Sequence, residues 1–204
     1  MNSIETGRFN INIYNGIVDL ISKIIEIRDP YTLGHEKRVS QLSCAIAKKF
    51  KLSQEDISLI KIAGIIHDIG KIAIPAEILG KPGKLATYEF SVIKEHTIIG
   101  YEIIKSTKLK KFMGPIANSI LQHHEKIDGS GYPHGLKSNM ITFPAKIIAV
   151  ADVVEAMTFH RPYRPALGIK TALKEISNKK NIFYDSRVVD VCLNLFETKK
   201  FQFS

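Results

Sequence analysis

The chain has 204 residues, of which 45% are apolar, 8% aromatic and 24% charged, with no Trp. That length supports one domain with a sizeable core, so disulfides or a structural metal are not needed for stability; no apolar run reaches the roughly 18 residues that span a bilayer, and the N-terminus lacks a signal-peptide pattern, so neither membrane spanning nor secretion is expected. The 29 Lys+Arg against 20 Asp+Glu leave a net charge of +9, which points to an anionic partner, either nucleic acid or a phosphorylated small molecule.

Helical spacing dominates in chain order. Ile13, Ile17, Leu20, Ile21 and Ile24 mark one stripe, closed by Arg28-Asp29-Pro30, and His35, Val39, Leu42 and Ile46 mark a second. Ser53 with Asp56 resembles a capping box and opens a third helix through Ile57, Ile60 and Gly64 to His67. Residues 71–87, with Pro75, Gly80, Pro82 and Gly83, read as a long loop. A helix follows from Thr87 with Ile93, His96, Gly100, Ile103 and Ile104 on one face. Another starts after Gly114-Pro115 and runs through Ile116 and Ile120 to His123 and His124. Residues 128–144, with Gly129, Gly131, Pro133 and Gly135, form a second loop. Pro144 opens a helix with Ile148, Ala151, Asp152 and Glu155 on one side, and two shorter helices close the chain. No strand alternation competes with these stripes. The expected class is all-α in a single domain, with Cys44 and Cys192 as reduced core fillers of an intracellular protein.

Seven histidines occur, and His35, His67, His96, His123 and His124 fall on or at the end of apolar helix faces. One such His is usually a hydrogen-bonded core residue. Five from four helices would leave several buried imidazoles seeking partners, and a metal ion resolves that, since neutral imidazole binds Fe, Mn, Ni or Zn. Asp68, next to His67, and Asp152, inside Ala-Val-Ala-Asp-Val-Val, add carboxylates that are costly to bury alone. The set exceeds the needs of one tetrahedral metal and suits two ions bridged by a carboxylate, a device that serves phosphoryl displacement.

His67-Asp68-Ile69-Gly70-Lys71 followed by Pro75 resembles the signature of the HD metal-dependent phosphohydrolases. His123-His124-Glu125, Asp128-Gly129-Ser130-Gly131-Tyr132-Pro133 and Gly135-Leu136 resemble the extended motif of the HD-GYP subfamily. The similarity extends back to Arg28-Asp29-Pro30-Tyr31-Thr32, Gly34-His35 and Arg38-Val39. It runs forward through Ala145-Lys146-Ile147 and Val150-Ala151-Asp152 to Arg161-Pro162-Tyr163, covering roughly residues 25 to 195 of a domain expected to span 1–204. The resemblance implies a helical bundle of the HD type with a C-terminal helical extension. It implies a cytoplasmic bacterial phosphodiesterase that hydrolyses cyclic di-GMP.

By position, His35, His67, Asp68, His96, His123, His124 and Asp152 match the family's metal ligands, with Asp68 bridging, and Lys71 matches the lysine beside the scissile phosphate. Arg161 and Arg164 match contacts to substrate phosphate or guanine, and Tyr132 and Glu155 are read as further substrate contacts. The implied cofactors are two divalent ions, Fe or Mn, with Zn or Ni as alternatives. A metal-bridging hydroxide would attack one phosphodiester to give linear pGpG. Tyr31 stands where some members carry a third-metal Glu, which favours two metals. Glu155 stands where Asp is usual, Lys146 where Arg is usual, and Ser138 where Gly is usual.

Rival readings are another cyclic or linear dinucleotide as substrate, or a catalytically weak signalling module. A homodimer and docking of other signalling proteins at the Gly-Tyr-Pro loop are further implied partnerships. Lys105, Lys108, Lys110 and Lys111 support nucleic-acid binding only as well as a solvated helix end does, so no nucleic-acid or membrane partner is expected. His134 and His160 are expected to be exposed.

Overall fold

The computed structural model describes residues 3–29, 33–107, 110–160 and 165–203, and the side chains of these except 3–15 and 110–113. The described residues form nine α-helices: α1 (Ser3–Arg28), α2 (His35–Lys49), α3 (Gln54–Ile66), α4 (Ala76–Leu79), α5 (Thr87–Ser106), α6 (Lys110–Gln122), α7 (Phe143–Thr158), α8 (Ile169–Asn178) and α9 (Ser186–Glu197). Short 3-10 turns occupy Ile69–Ala73 and Ser138–Met140. Only isolated bridges, Asp128 with Lys137 and Lys180 with Tyr184, resemble sheet pairing among the described residues. The class is all-α. None of these helices is long and apolar enough to cross a membrane.

Helix α7 is apolar almost all round, as a helix enclosed by others must be. Its Ile147, Ile148, Val150, Ala151 and Val154 are fully buried. It packs against α2, α3, α6, α8 and α9, so Asp152 enters the middle of the domain on a rigid support. The core continues through Val39, Leu42 and Ile46 of α2, Ile60 and Ile66 of α3, Ile116 and Ile120 of α6, and Val188, Val189 and Cys192 of α9. Each fully buried Val, Ile or Leu contributes roughly 2 kcal/mol relative to exposure, so these helix faces form the stable part of the fold.

Three expectations need correction. Helix α6 begins at Lys110 and carries Pro115 inside it, rather than starting after Gly114-Pro115. One proline so near a helix start sacrifices a single hydrogen bond, and the buried face of Ile116, Ala117 and Ile120 outweighs that. The segment after Lys71 is not a plain loop: Pro75 opens α4, which closes with the Gly80 N–H on the Ala76 carbonyl and the Lys81 N–H on that of Ile78. Along α1, Ile17, Leu20 and Ile24 point outward and are exposed, whereas Val18, Ser22, Ile25 and Glu26 face the body. At α3 half of the capping box is present. Ser53 accepts the Asp56 N–H at 3.1 Å, but its hydroxyl donates to the Asp56 carboxylate, which does not reach back to the backbone.

The two departures at Lys146 and Ser138 meet each other. Lys146 Nζ donates to Ser138 Oγ and to Asp185 Oδ2, both at 3.2 Å, tying α7 to the loop before it and to the start of α9. Cys192 is buried; Cys44 is half-buried, and neither forms a disulfide.

Candidate metal centre

Helix α3 ends at His67, and Asp68 turns the chain into the 3-10 segment. That segment lies directly on α5. A Cβ on Gly70 would stand 1.9 Å from the His96 carbonyl oxygen and 2.7 Å from Gly100 N, so only glycine allows this approach. The approach brings Asp68 to His96. Helix α6 delivers His123 and His124 at its end, α2 delivers His35 from its first residue, and α7 delivers Asp152.

All seven residues expected as ligands meet in two adjoining groups. Asp68, His96, His123 and His124 form one and His35, His67 and Asp152 the other, with ligand atoms inside each group within 4.8 Å of one another. Most of these residues are buried to within a few per cent of their surface.

The hydrogen bonds fix which imidazole nitrogen faces the cluster. His67 Nδ1 lies 2.9 Å from Gly64 O, His96 Nδ1 2.6 Å from Ile93 O, and His123 Nδ1 2.6 Å from Ile120 O. A carbonyl only accepts, so each Nδ1 must carry the proton and each Nε2 presents a bare lone pair inward. Burial, the largest influence, lowers the pKa of His96 and of His123 to about 4 and lowers those of His67 and His124 as well, so the inward nitrogens stay unprotonated at neutral pH.

The consequence is a concentration of negative potential that suits a cation. Nε2 of His96 and Nε2 of His123 face each other at 3.4 Å with no proton between them, and His67 Nε2 and Asp68 Oδ1 are buried with no hydrogen-bond partner. Buried acceptors crowded together in this way are costly unless a cation lies among them.

Asp68 stands between the two groups. Its Oδ2 is 3.6 Å from His67 Nε2 and 3.9 Å from His35 Nε2, while its Oδ1 is 3.3 Å from His96 Nε2 and 3.9 Å from His123 Nε2. Burial opposes its ionisation, but Lys71, whose Nζ is 2.8 Å from Oδ2, together with the surrounding imidazoles outweighs burial and holds the carboxyl well below its ordinary range. Asp152 behaves likewise: burial is overcome by His35, whose Nε2 is 3.3 Å away, and by His67 and His124.

Around the cluster lie residues that hold its side chains. Glu155 is a correction to the expected substrate contact. It is 1% exposed and lies behind His35, with Oε2 at 2.5 Å from His35 Nδ1 and Oε1 accepting from Arg38 Nε at 2.8 Å and Nη2 at 2.7 Å. The extra methylene of Glu over Asp lets it span between α7 and α2, and Arg38 in turn stacks at 4.0 Å on the Phe159 ring. Tyr132 is half-buried, its ring centroid 4.7 Å from that of His124. The Gly-Tyr-Pro loop is anchored from beneath by Glu125, which accepts the His134 N–H at 2.7 Å and the Leu136 N–H at 2.9 Å. Gly131 is required here, since a Cβ would fall 2.3 Å from Lys126 N.

Lys71 sits beside Asp68 as described. Arg161, Arg164 and Tyr31 lie outside the described residues. His134 and His160 are exposed. The roles of Glu125, Arg38 and Asp29 were not assigned from sequence, although Arg38 lies three residues after His35 on the same helical face, a spacing that signals contact.

Comparison with known proteins follows the same lines. The HD domain family matches residues 19–188. The chain is 40% identical over 173 residues to the cyclic di-GMP phosphodiesterase response regulator RpfG of Xanthomonas campestris pv. campestris, covering 85% of this chain and 46% of that protein. It is 39% identical over 183 residues to a cyclic di-GMP phosphodiesterase of Thermotoga maritima, covering 88% and 48%. The chain thus spans about half the length of these curated relatives. The solved cyclic GMP-AMP specific phosphodiesterase V-cGAP3 of V. cholerae shares the fold with a TM-score of 0.67 at 16% identity, covering 90% of this chain and 49% of that one.

Proposed function

The chain belongs to the HD domain family, and from that premise we propose that it is a cytoplasmic phosphodiesterase of the HD-GYP type, acting on cyclic di-GMP and releasing linear pGpG. It would do so with two divalent ions, Fe or Mn, one held by His35, His67 and Asp152 and the other by His96, His123 and His124, with Asp68 shared. The observation that carries this reading is the division of Asp68, whose two oxygens face different sets of proton-free imidazole nitrogens. When bound, such a pair of ions lowers the pKa of water and neutralises charge on a phosphoryl group in an in-line displacement.

The chain's own residues supply the rest. Glu155 and three backbone carbonyls keep the imidazoles of His35, His67, His96 and His123 oriented. Lys71 offers an ammonium beside the shared carboxylate, where it can meet a phosphate oxygen in the transition state. Tyr132 covers His124 and walls the site toward the loop. Hydrolysis of cyclic di-GMP by two relatives, as their names state, supports the substrate class.

A second reading takes 3′3′-cyclic GMP-AMP as the substrate, because a relative from Vibrio cholerae that is 36% identical over 157 residues is named as specific for it. The test is a panel of cyclic di-GMP, cyclic GMP-AMP and pGpG incubated with Fe- or Mn-loaded protein and resolved by chromatography. Conversion of cyclic di-GMP to pGpG as the preferred reaction supports the first reading. Preferred turnover of cyclic GMP-AMP supports the second, and a fully loaded protein that cleaves nothing contradicts both.

A further inference from the structure

We propose that Asp29 is the positioning residue of Lys71, holding its ammonium at the site when the charge of Asp68 is committed to metal. This rests on the phosphodiester reading above. Asp29, at the end of α1 and 8% exposed, comes from 42 residues upstream, and its Oδ2 lies 3.3 Å from Lys71 Nζ. The ammonium is therefore held between two carboxylates, Asp29 on one side and Asp68 at 2.8 Å on the other.

The two carboxylates are not equivalent. Asp68 belongs to the metal groups and Asp29 to neither. With cations on the cluster, the Asp68 charge is largely neutralised and the ammonium faces like charge, which by itself would drive a flexible lysine outward. Asp29 supplies the counter-charge that keeps it in place. The adjacent Arg28 fixes this arrangement, because its Nη2 donates to the carbonyl of Ile74 at the end of the 3-10 segment that carries Lys71. Helix α1 is thus fastened to that segment by two consecutive residues, one on its backbone and one on its lysine. The sequence pair Arg28-Asp29 acquires a reason: one residue docks the helix and the next aims the cation.

The test is a double-mutant cycle with Asp29→Asn, Lys71→Ala and the pair, read in the metal-loaded protein by kcat and KM for cyclic di-GMP and, separately, by the Kd for inorganic phosphate. Lys71→Ala should lower kcat roughly 100-fold and Asp29→Asn roughly tenfold, and each should weaken phosphate binding in the same order. In the Lys71→Ala background, Asp29→Asn should cost less than about twofold, because a residue that acts through another has nothing left to act on. Asp29→Glu, which retains the charge, should recover part of the loss. Melting temperatures are compared first, and Asp29→Ser carries the cycle if Asp29→Asn is unstable.

Full additivity of the two substitutions, in kcat or in phosphate binding, overturns the proposal, since that is how a merely structural residue behaves. If the loaded wild type cleaves no dinucleotide, the functional reading fails, and the phosphate cycle still decides between coupling and additivity.

Discussion

Oε2 of Glu155 lies 2.5 Å from Nδ1 of His35, so an acid on α7 orients the first residue of α2 at the edge of the His/Asp cluster. The bond sets the tautomer that leaves Nε2 of His35 toward Asp152 and Asp68. Glu155→Gln should weaken metal binding by roughly 10- to 100-fold, the range found when a ligand loses its orienting partner. Competition with a metal-sensitive dye measures it. Unchanged affinity would assign Glu155 to helix packing alone.

The contact between the 3-10 segment and α5 depends on Gly70. Gly70→Ala would put a methyl group 1.9 Å from the His96 carbonyl oxygen, so one of the two backbones must move. The cost should be at least about 2 kcal/mol, a fall of roughly 4–8 °C in melting temperature for a domain of this size. Metal loading should fall as well, since Asp68 and His96 separate together. Differential scanning calorimetry of the two metal-free proteins checks the stability part.

Much of this site was legible in the sequence because its ligands obey helical spacing and its motif is long. His123 and His124 end one apolar stripe, His96 lies in another, and Asp152 interrupts a third, so chemistry and periodicity pointed to the same seven positions. Glu155 was misread because its helical register points inward in any case, and register alone does not say whether a ligand or the substrate lies opposite. Asp29 and Glu125 escaped because their partners, Lys71 and the 134–136 backbone, become neighbours only through tertiary packing. Pro115 and Pro75 show the same limit in local form: each marked a break, yet one lies within a helix and the other opens one.

Asp185 gives the fold a pH signature. Hydrogen bonds from Arg187, opposed by burial and reinforced by Lys146, lower its pKa to about 2 from an ordinary 3.8. A depressed carboxylate pKa stabilises the folded state above the unfolded value and loses that contribution as pH falls through the folded one. Asp185→Asn keeps the α9 cap but not the charge. The melting temperature of the wild type should therefore exceed that of Asp185→Asn by a constant margin above about pH 5, and the margin should close between about pH 4 and pH 2. A margin that persists at pH 2 would assign the difference to something other than the carboxylate charge.

The two thiols should differ in reactivity. Burial raises the Cys192 thiol to about 12 and also raises that of half-buried Cys44, so little thiolate exists at neutral pH. In the native protein a maleimide should modify Cys44 slowly and Cys192 only on unfolding, as peptide mass mapping would reveal. Rapid native labelling of Cys192 would mean that α9 opens from the core.

The central claim is that Asp68 is shared between two metal ions. The most direct measurement is elemental analysis of the purified protein and of Asp68→Ala after loading with Fe or Mn, accompanied by the cyclic di-GMP assay. The wild type should bind two equivalents and turn over substrate, and Asp68→Ala should retain at most one equivalent and lose turnover. Two equivalents and full activity in Asp68→Ala would contradict the account.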